Sequence, residues 1–223
     1  MNETVAVIDT KEKLHLGIRR KSYLLTKRIF DILVSGFCLI ILSPVFLLIM
    51  ILIKIDSKGK VFYKHKRIGK NGEYIYLYKF RSMYSDAKER LEELLKDPEI
   101  KKEWEENFKL ENDPRITKVG NILRKTSLDE LPQLLNILKG EMSIVGPRPI
   151  IDGEIEKYGK NKKKFLSVTP GLTGYWAANR TNNMTYKERM EMELYYVENM
   201  SILLDIKIFF KTIVTVIKGL GVK

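Results

Sequence analysis

The sequence predicts an α+β protein, mainly helical. It reads as a compact domain carrying a small β-hairpin, anchored by one re-entrant, Ser-Pro-kinked membrane helix and by amphipathic interfacial helices. Three observations predict this. From Ile32 to Ile53, 22 consecutive residues carry no formal charge. Residues 61–80 hold two runs of β-branched and aromatic side chains around Lys70-Asn71-Gly72. Residues 202–220 place apolar side chains at three- and four-residue intervals, with lysines between them.

The uncharged run comes first. At about 1.5 Å per residue it would reach roughly 33 Å, the thickness of a bilayer core. It starts some thirty residues into the chain and no small-residue cleavage pattern follows. Both features argue against a signal peptide. Basic residues flank both ends: Arg19, Arg20, Lys21, Lys27 and Arg28 before it, and Lys54, Lys58, Lys60 and Lys64 after it. The positive-inside bias therefore favours neither end, as expected when both stay on one face. Pro44 removes a backbone donor and clashes with the preceding turn, and the Ser43 hydroxyl can bond a carbonyl one turn back. A spanning helix tolerates a proline as well. Kink and symmetric charge together favour the re-entrant form over the spanning one.

The hairpin follows. VFYKHKRIG and EYIYLYKF are strand-like, and Lys70-Asn71-Gly72 supplies the turn. Residues 85–112 carry ten acidic and six basic residues, with Leu91, Leu94 and Leu95 at helical spacing. They read as one or two solvated helices interrupted at Asp97-Pro98. The C-terminal stretch, with Ile202, Leu203, Ile206, Phe209, Phe210, Ile213, Val216, Ile217 and Leu220, is an amphipathic helix. It packs on the core or rests on anionic lipid, and the pattern alone fits both.

Charge narrows the partners. The chain of 223 residues has 40 Lys and Arg against 28 Asp and Glu, a net +12. Outside residues 85–112 the balance is 34 basic to 18 acidic, so the positive field belongs to the rest of the chain. Anionic partners follow: nucleic acid, phosphorylated metabolites or an acidic membrane. One cysteine, Cys38, excludes an internal disulfide, and two histidines argue against a His-rich metal site. A reducing, cytosol-facing setting fits. No basic recognition helix or RNA-binding signature supports a nucleic-acid partner.

The chemistry concentrates in residues 113–149. Ser127-Leu128-Asp129-Glu130 has the spacing of a capping box, with Asp129 suited to a positive helix end. The functional alternative is a pair of adjacent carboxylates near an anion-binding helix end. A dipole and a divalent cation would keep Asp129 ionised, able to attack phosphorus. Arg148 lies between Pro147 and Pro149, which restrict the backbone that presents its guanidinium. Such a fork grips phosphate oxygens in a way an ammonium does not. Arg124, Lys79 and Arg81 are further candidate phosphate contacts. Pro170-Gly171-Leu172-Thr173-Gly174 reads as a loop with two permissive glycines. The lysines from Lys157 to Lys164 read as a solvated or lipid-facing patch.

These stretches resemble the bacterial sugar transferase family, small monotopic phosphoglycosyl transferases acting on polyprenyl phosphate. The matching residues are KRIFD at 27–31, SP at 43–44, RIGKNG at 67–72, KFRSM at 79–83, DPRIT at 113–117, SLDELPQLLN at 127–136, MSIVGPRP at 142–149 and PGLTGYW at 170–176. They cover roughly residues 22–215. The resemblance implies a re-entrant helix broken at Ser43-Pro44 and a catalytic domain at the cytoplasmic face of the bacterial inner membrane. It further implies transfer of a sugar phosphate from a UDP-sugar to undecaprenyl phosphate, with UMP released and Mg²⁺ required. Carried over, Asp129 is the nucleophile and Mg²⁺ ligand, Glu130 its partner, and Arg148 and Arg124 hold phosphates. Family members often continue the last motif as Trp-Gln-Val-x-Gly-Arg. Here it is Trp176-Ala177-Ala178-Asn179-Arg180, which keeps Arg180 and leaves the sugar identity undetermined.

The expected organisation is a basic interfacial segment over 1–26, a re-entrant membrane helix over 27–56 and a catalytic domain over 57–223. A homodimer is left open. A non-catalytic membrane scaffold is the rival reading. It would need the anchor but neither Asp129-Glu130 nor Pro147-Arg148-Pro149.

Overall fold

The computed structural model describes residues 2–107, 110, 112–181 and 184–217, with side chains from Arg20 to Glu105 and onward to Thr215 apart from those gaps. Helix α1 (Asn2–Ile41) runs into helix α2 (Ser43–Asp56) through a break at Leu42. The stretch Arg20–Ile41 meets α2 at a bend of 61°. Ser43 Oγ donates to Ile40 O at 2.8 Å, and Pro44 sits in the first turn of α2. The kink expected from the sequence therefore lies where its chemistry demands. Among the described residues no single helix is long and apolar enough to cross a membrane, although the bent pair together has the length and composition.

Strands β1 (Phe62–Ile68) and β2 (Tyr74–Phe80) form the predicted antiparallel hairpin, in register from Phe62 opposite Phe80 to Ile68 opposite Tyr74. Asn71 takes φ 57° in the connecting turn. Asparagine tolerates that conformation. Alternation sends Ile75 and Leu77 inward, with His65, Arg67 and Lys79 on the same face. Helices α3 (Ala87–Leu94) and α4 (Pro98–Asn107) are the acidic pair, broken before Pro98 as predicted. Helix α5 (Lys118–Lys125), a 3₁₀ run over Leu128–Gln133 and helix α6 (Leu134–Lys139) carry the central motif.

One element departs from the expected pattern. Residues 171–173 form strand β4 (Gly171–Thr173), parallel to β3 (Ser143–Val145), rather than a loop. A Cβ on Gly171 would collide with the backbone nitrogen of Gly146, so glycine there lets two strands approach closely. Helices α7 (Lys162–Leu166), α8 (Tyr175–Asn179), α9 (Tyr186–Asn199) and α10 (Ile202–Ile217) complete the domain. The lysines after Lys157 stay exposed or half-buried; Lys162 and Lys164 pair with Glu156 and Glu198.

The main core gathers Ile75 and Leu77 of β2, Leu134 and Ile137 of α6, Ile144 and Val145 of β3, Tyr196 of α9 and Ile208 of α10. Helix α10 therefore packs on the core along one face and leaves another apolar face exposed. Ile208 is buried and Phe209 meets Phe30 of α1 edge-on at 6.0 Å, while Leu203, Phe210 and Val214 stay exposed. Asp205 pins α10 to α1 by accepting from Lys27 at 2.8 Å and from Tyr23 at 2.9 Å. The side chains of Val216, Ile217, Lys218 and Leu220, and those of residues 1–19 in the basic segment, lie outside the described residues. The exposed faces of α1 and α2 are rich in Leu25, Leu33, Phe37, Ile40, Leu47 and Ile55.

Candidate active site

The site is built where the 3₁₀ run meets β2. Helix α5 ends at Lys125, and Ser127 turns the chain at φ 56°, the left-handed region. In that conformation the Ser127 hydroxyl makes no capping bond, and α-helix begins only at Leu134. The capping-box reading of Ser127 and Glu130 is thus corrected by the turn: Glu130 N–H donates to the Ser127 backbone carbonyl instead, at 3.2 Å. Fully buried Asn136 staples the run to the hairpin. Its amide donates to Tyr76 O at 2.8 Å and accepts from Tyr78 N–H at 2.9 Å. Lys79, the next residue of β2, is thereby delivered to the two carboxylates.

Lys79 Nζ lies 2.6 Å from Glu130 Oε1 and 3.7 Å from Asp129 Oδ2. Burial pushes the Asp129 carboxyl above its ordinary range, Lys79 pulls it down, Glu130 raises it again and Arg124 opposes that. Arg124 is oriented by a hydrogen bond from its Nε to Ser82 Oγ at 2.9 Å. Burial lowers its own pKa, while Asp129 acts to raise it. Asp129, Glu130, Lys79 and Arg124 therefore form one cluster, as the sequence anticipated.

Arg81 does not join it. Two residues after Lys79, its side chain is buried and turned to the C-terminal end of α2, donating to Ser57 O at 2.7 Å, to Ile53 O at 3.3 Å and to Lys58 O. Gly59, at φ 123°, leaves room for that guanidinium. The structure makes Arg81 a cap on the broken helix rather than a phosphate contact.

Arg148 is exposed between buried Pro147 and Pro149, and its peptide N–H donates to Glu193 Oε1 at 3.2 Å. Its guanidinium lies 5.8 Å from the centroid of Trp176, and that of Arg180 lies 5.6 Å from the same ring. Both feel Glu130, which ties them to the carboxylate pair. Three residues that sequence reasoning left without a role belong here. Arg67 on β1 has its pKa held at about 10 by burial and Arg148. His65, two residues earlier, is pushed down to about 4 by burial, Arg67, Lys79 and Arg148, and is neutral at pH 7. Arg189 on α9 lies over Trp176 at 4.9 Å. Arg67 and Trp176 stood inside the quoted motifs; nothing in the helical pattern of α9 marks Arg189.

The family model for bacterial sugar transferase matches residues 22–219. The chain belongs to the bacterial sugar transferase family. It is 48% identical over 94% of its length to an uncharacterized sugar transferase of Haemophilus influenzae, of which it spans 44%. It is 47% identical to the exopolysaccharide production protein ExoY of Sinorhizobium fredii, over 88% of both chains. It is 44% identical to the undecaprenyl-phosphate galactose phosphotransferase of Salmonella typhimurium, again over 94% of this chain and 44% of the relative. This member of the family thus spans less than half of two of these relatives and most of the third.

The carboxylate pair of this cluster has the donor chemistry that a magnesium ion would take. Mg²⁺ is held by one or two carboxylates together with phosphate oxygens and water, rather than by an all-protein cage. Among the described residues no group of three His, Cys, Asp or Glu side chains forms such a cage. Adjacent Asp129 and Glu130 supply two carboxylates, and Lys79 sits closer to Glu130 than to Asp129, leaving Asp129 the less committed ligand.

Proposed function

We propose that this protein is a phosphoglycosyl transferase that moves a sugar 1-phosphate from a UDP-sugar to undecaprenyl phosphate and releases UMP. This would be the first membrane step of a capsule, exopolysaccharide, O-antigen or glycoprotein glycan. The observation that carries the reading is Asp129. Its carboxylate is buried, adjoins a second carboxylate and lies between Lys79 and Arg124, a place built for attack on a phosphoryl group.

An Asp129 oxygen attacks the sugar-side phosphorus, and the bond from that phosphorus to the bridging oxygen breaks. The electron pair leaves on the phosphate of UMP, giving an aspartyl-phosphosugar. A phosphate oxygen of undecaprenyl phosphate then attacks the same phosphorus and returns Asp129 as carboxylate. Charge balances in both steps without a proton. Lys79 and Arg124 position and neutralise the phosphoryl oxygens, which supplies most of the acceleration in such transfers. Asp129 would hold Mg²⁺, with Glu130 beside it; when bound, the ion offsets phosphate charge.

The membrane placement rests on chemistry of the same surface. The bend of 61° between α1 and α2 supports a re-entrant anchor. The exposed apolar faces of α1, α2 and α10 support a monotopic one, and the basic residues at both ends of the uncharged run support keeping both ends on the cytoplasmic face. Such an anchor holds Asp129 at headgroup height, where a lipid phosphate lies. Relatives named for UDP-galactose-lipid carrier and undecaprenyl-phosphate glucose-1-phosphate transfer support the substrate classes.

The test is UMP release in detergent with Mg²⁺, undecaprenyl phosphate and a panel of UDP-sugars. Wild type releases UMP with at least one donor, and folded Asp129→Asn does not. Release that requires both substrates together would sink the covalent intermediate. Silence of the folded wild type across the panel would favour the scaffold.

A further inference from the structure

Three arginines gather at one indole, and a fourth stands beside them. Arg148, Arg180 and Arg189 lie over the Trp176 ring. Arg67 approaches from β1, close enough for Arg148 and Arg189 both to act on it. The counter-charge is thin. Glu154 stands 3.9 Å from Arg67 and 3.6 Å from Arg189, and Glu193 faces the Arg148 peptide.

Arg189 is the informative member. It is only 9% exposed, and its guanidinium also lies 5.1 Å from the Tyr186 ring. Its Nε and Nη2 have no hydrogen-bond partner among the described residues, nor have Nε of Arg67 and Nε of Arg180. Buried guanidinium donors without acceptors are costly and rare unless a ligand completes them. Four such donors on three arginines call for an anion with several oxygens, and the guanidinium fork matches phosphate.

The cations of the site also divide by position. Lys79 lies 2.6 Å from Glu130 and 3.7 Å from Asp129, whereas Arg67 and Arg189 stand on Glu154, at 3.9 and 3.6 Å. Cations held on separate carboxylates suit a diphosphate whose two phosphates have different fates.

We propose that Arg67 and Arg189 form, with Arg148, a second phosphate subsite beside Trp176. It holds the nucleotide-side phosphate of the donor while the sugar-side phosphate lies at Asp129. The ligand assignment rests on the transferase reading; the subsite itself is testable without turnover. Its role in the reaction is to receive the charge that develops on departing UMP, and it retains UMP as a product inhibitor.

Trp176 is one of two tryptophans, so in a Trp104→Phe background its emission reports on the subsite. The full chain in detergent is titrated with UMP, inorganic phosphate and uridine, and thermal melts are recorded with and without UMP. UMP changes the emission and raises the melting temperature. Arg189→Gln and Arg67→Gln each weaken UMP about tenfold or more, as loss of charge-assisted hydrogen bonds requires. Uridine is unaffected by either change, and phosphate competes with UMP. Equal UMP affinity in both arginine variants overturns the proposal, as does an equal loss for uridine. Should Arg189→Gln fail to fold, Arg67→Gln, at a half-buried strand position, carries the same test. Arginine-dependent UMP binding without UMP release from any donor would keep the subsite and refute the transferase. Asp129-dependent release with arginine-independent UMP binding would do the reverse.

Discussion

Asp31 of the broken helix accepts the backbone N–H of Ile144 at 2.8 Å, and this bond joins that helix to the strand that delivers Pro147-Arg148-Pro149. The same carboxylate oxygen accepts from Ser143 Oγ at 3.0 Å, and Asp31 is 3% exposed. The site is therefore registered against the helix by a buried acceptor, not by apolar packing alone.

Replacing Asp31 by Ala leaves a buried N–H and a buried hydroxyl without their acceptor, at a cost of about 2–3 kcal/mol. Asp31→Asn keeps an acceptor oxygen and recovers most of it. Thermal unfolding in detergent is expected to rank wild type above Asp31→Asn and Asp31→Ala lowest. An alanine variant that melts with wild type would show that the helix is registered elsewhere.

Arg81 gives a prediction of the opposite kind. Its three carbonyl partners end α2, so Arg81→Gln should destabilise by about 2–3 kcal/mol through lost charge-assisted bonds. KM for the UDP-sugar is expected to stay within about twofold, because the side chain faces away from Asp129. A large rise in KM at unchanged melting temperature would restore Arg81 to the substrate.

Arg81 also marks the boundary of what a sequence discloses. Lys79 and Arg81 are two apart and both read as candidate phosphate contacts, but β2 ends at Phe80 and carbonyls at the end of α2 claim the Arg81 guanidinium. Features with local causes were legible: the proline break at Ser43-Pro44, the alternation of the hairpin, the interruption at Asp97-Pro98 and the Asp129-Glu130 pair. The strand at Gly171 was not, because its cause is the close approach of Gly146, which belongs to a different stretch of chain. The ring of arginines was illegible for the same reason. Arg67 and Arg189 are brought together from β1 and α9 by the fold, with no shared period or motif. Ser127 shows the converse: correct capping-box spacing, defeated by one left-handed residue.

In the proposed transfer Asp129 must be ionised to attack, and burial raises its pKa from the ordinary 3.8. The acid limb of kcat/KM should therefore lie above the usual aspartate range. Lys79 is the foremost influence opposing burial, so Lys79→Met removes it and the limb moves to higher pH. Lys79→Arg, which keeps the charge, should hold the limb near its wild-type position. A pH profile that loses amplitude in Lys79→Met without shifting would reduce Lys79 to a substrate contact.

Glu193 couples the arginine cluster to stability. It is 1% exposed, and burial raises its pKa from 4.5 to about 7 against the pull of the Arg148 peptide and of Arg189 and Arg148. The folded state thus keeps a proton that the unfolded chain gives up between these values. Stability from this group is full below pH 4.5 and falls as the pH rises, levelling above about 7 at a loss of about 3 kcal/mol. Glu193→Gln retains an oxygen for the Arg148 N–H and has no charge to bury. Denaturant unfolding at several pH values should show the variant level with wild type near pH 4 and more stable at pH 8 by about that amount. If instead the variant is less stable at pH 8, the ionised carboxylate is held by Arg148 and Arg189 more firmly than burial opposes it.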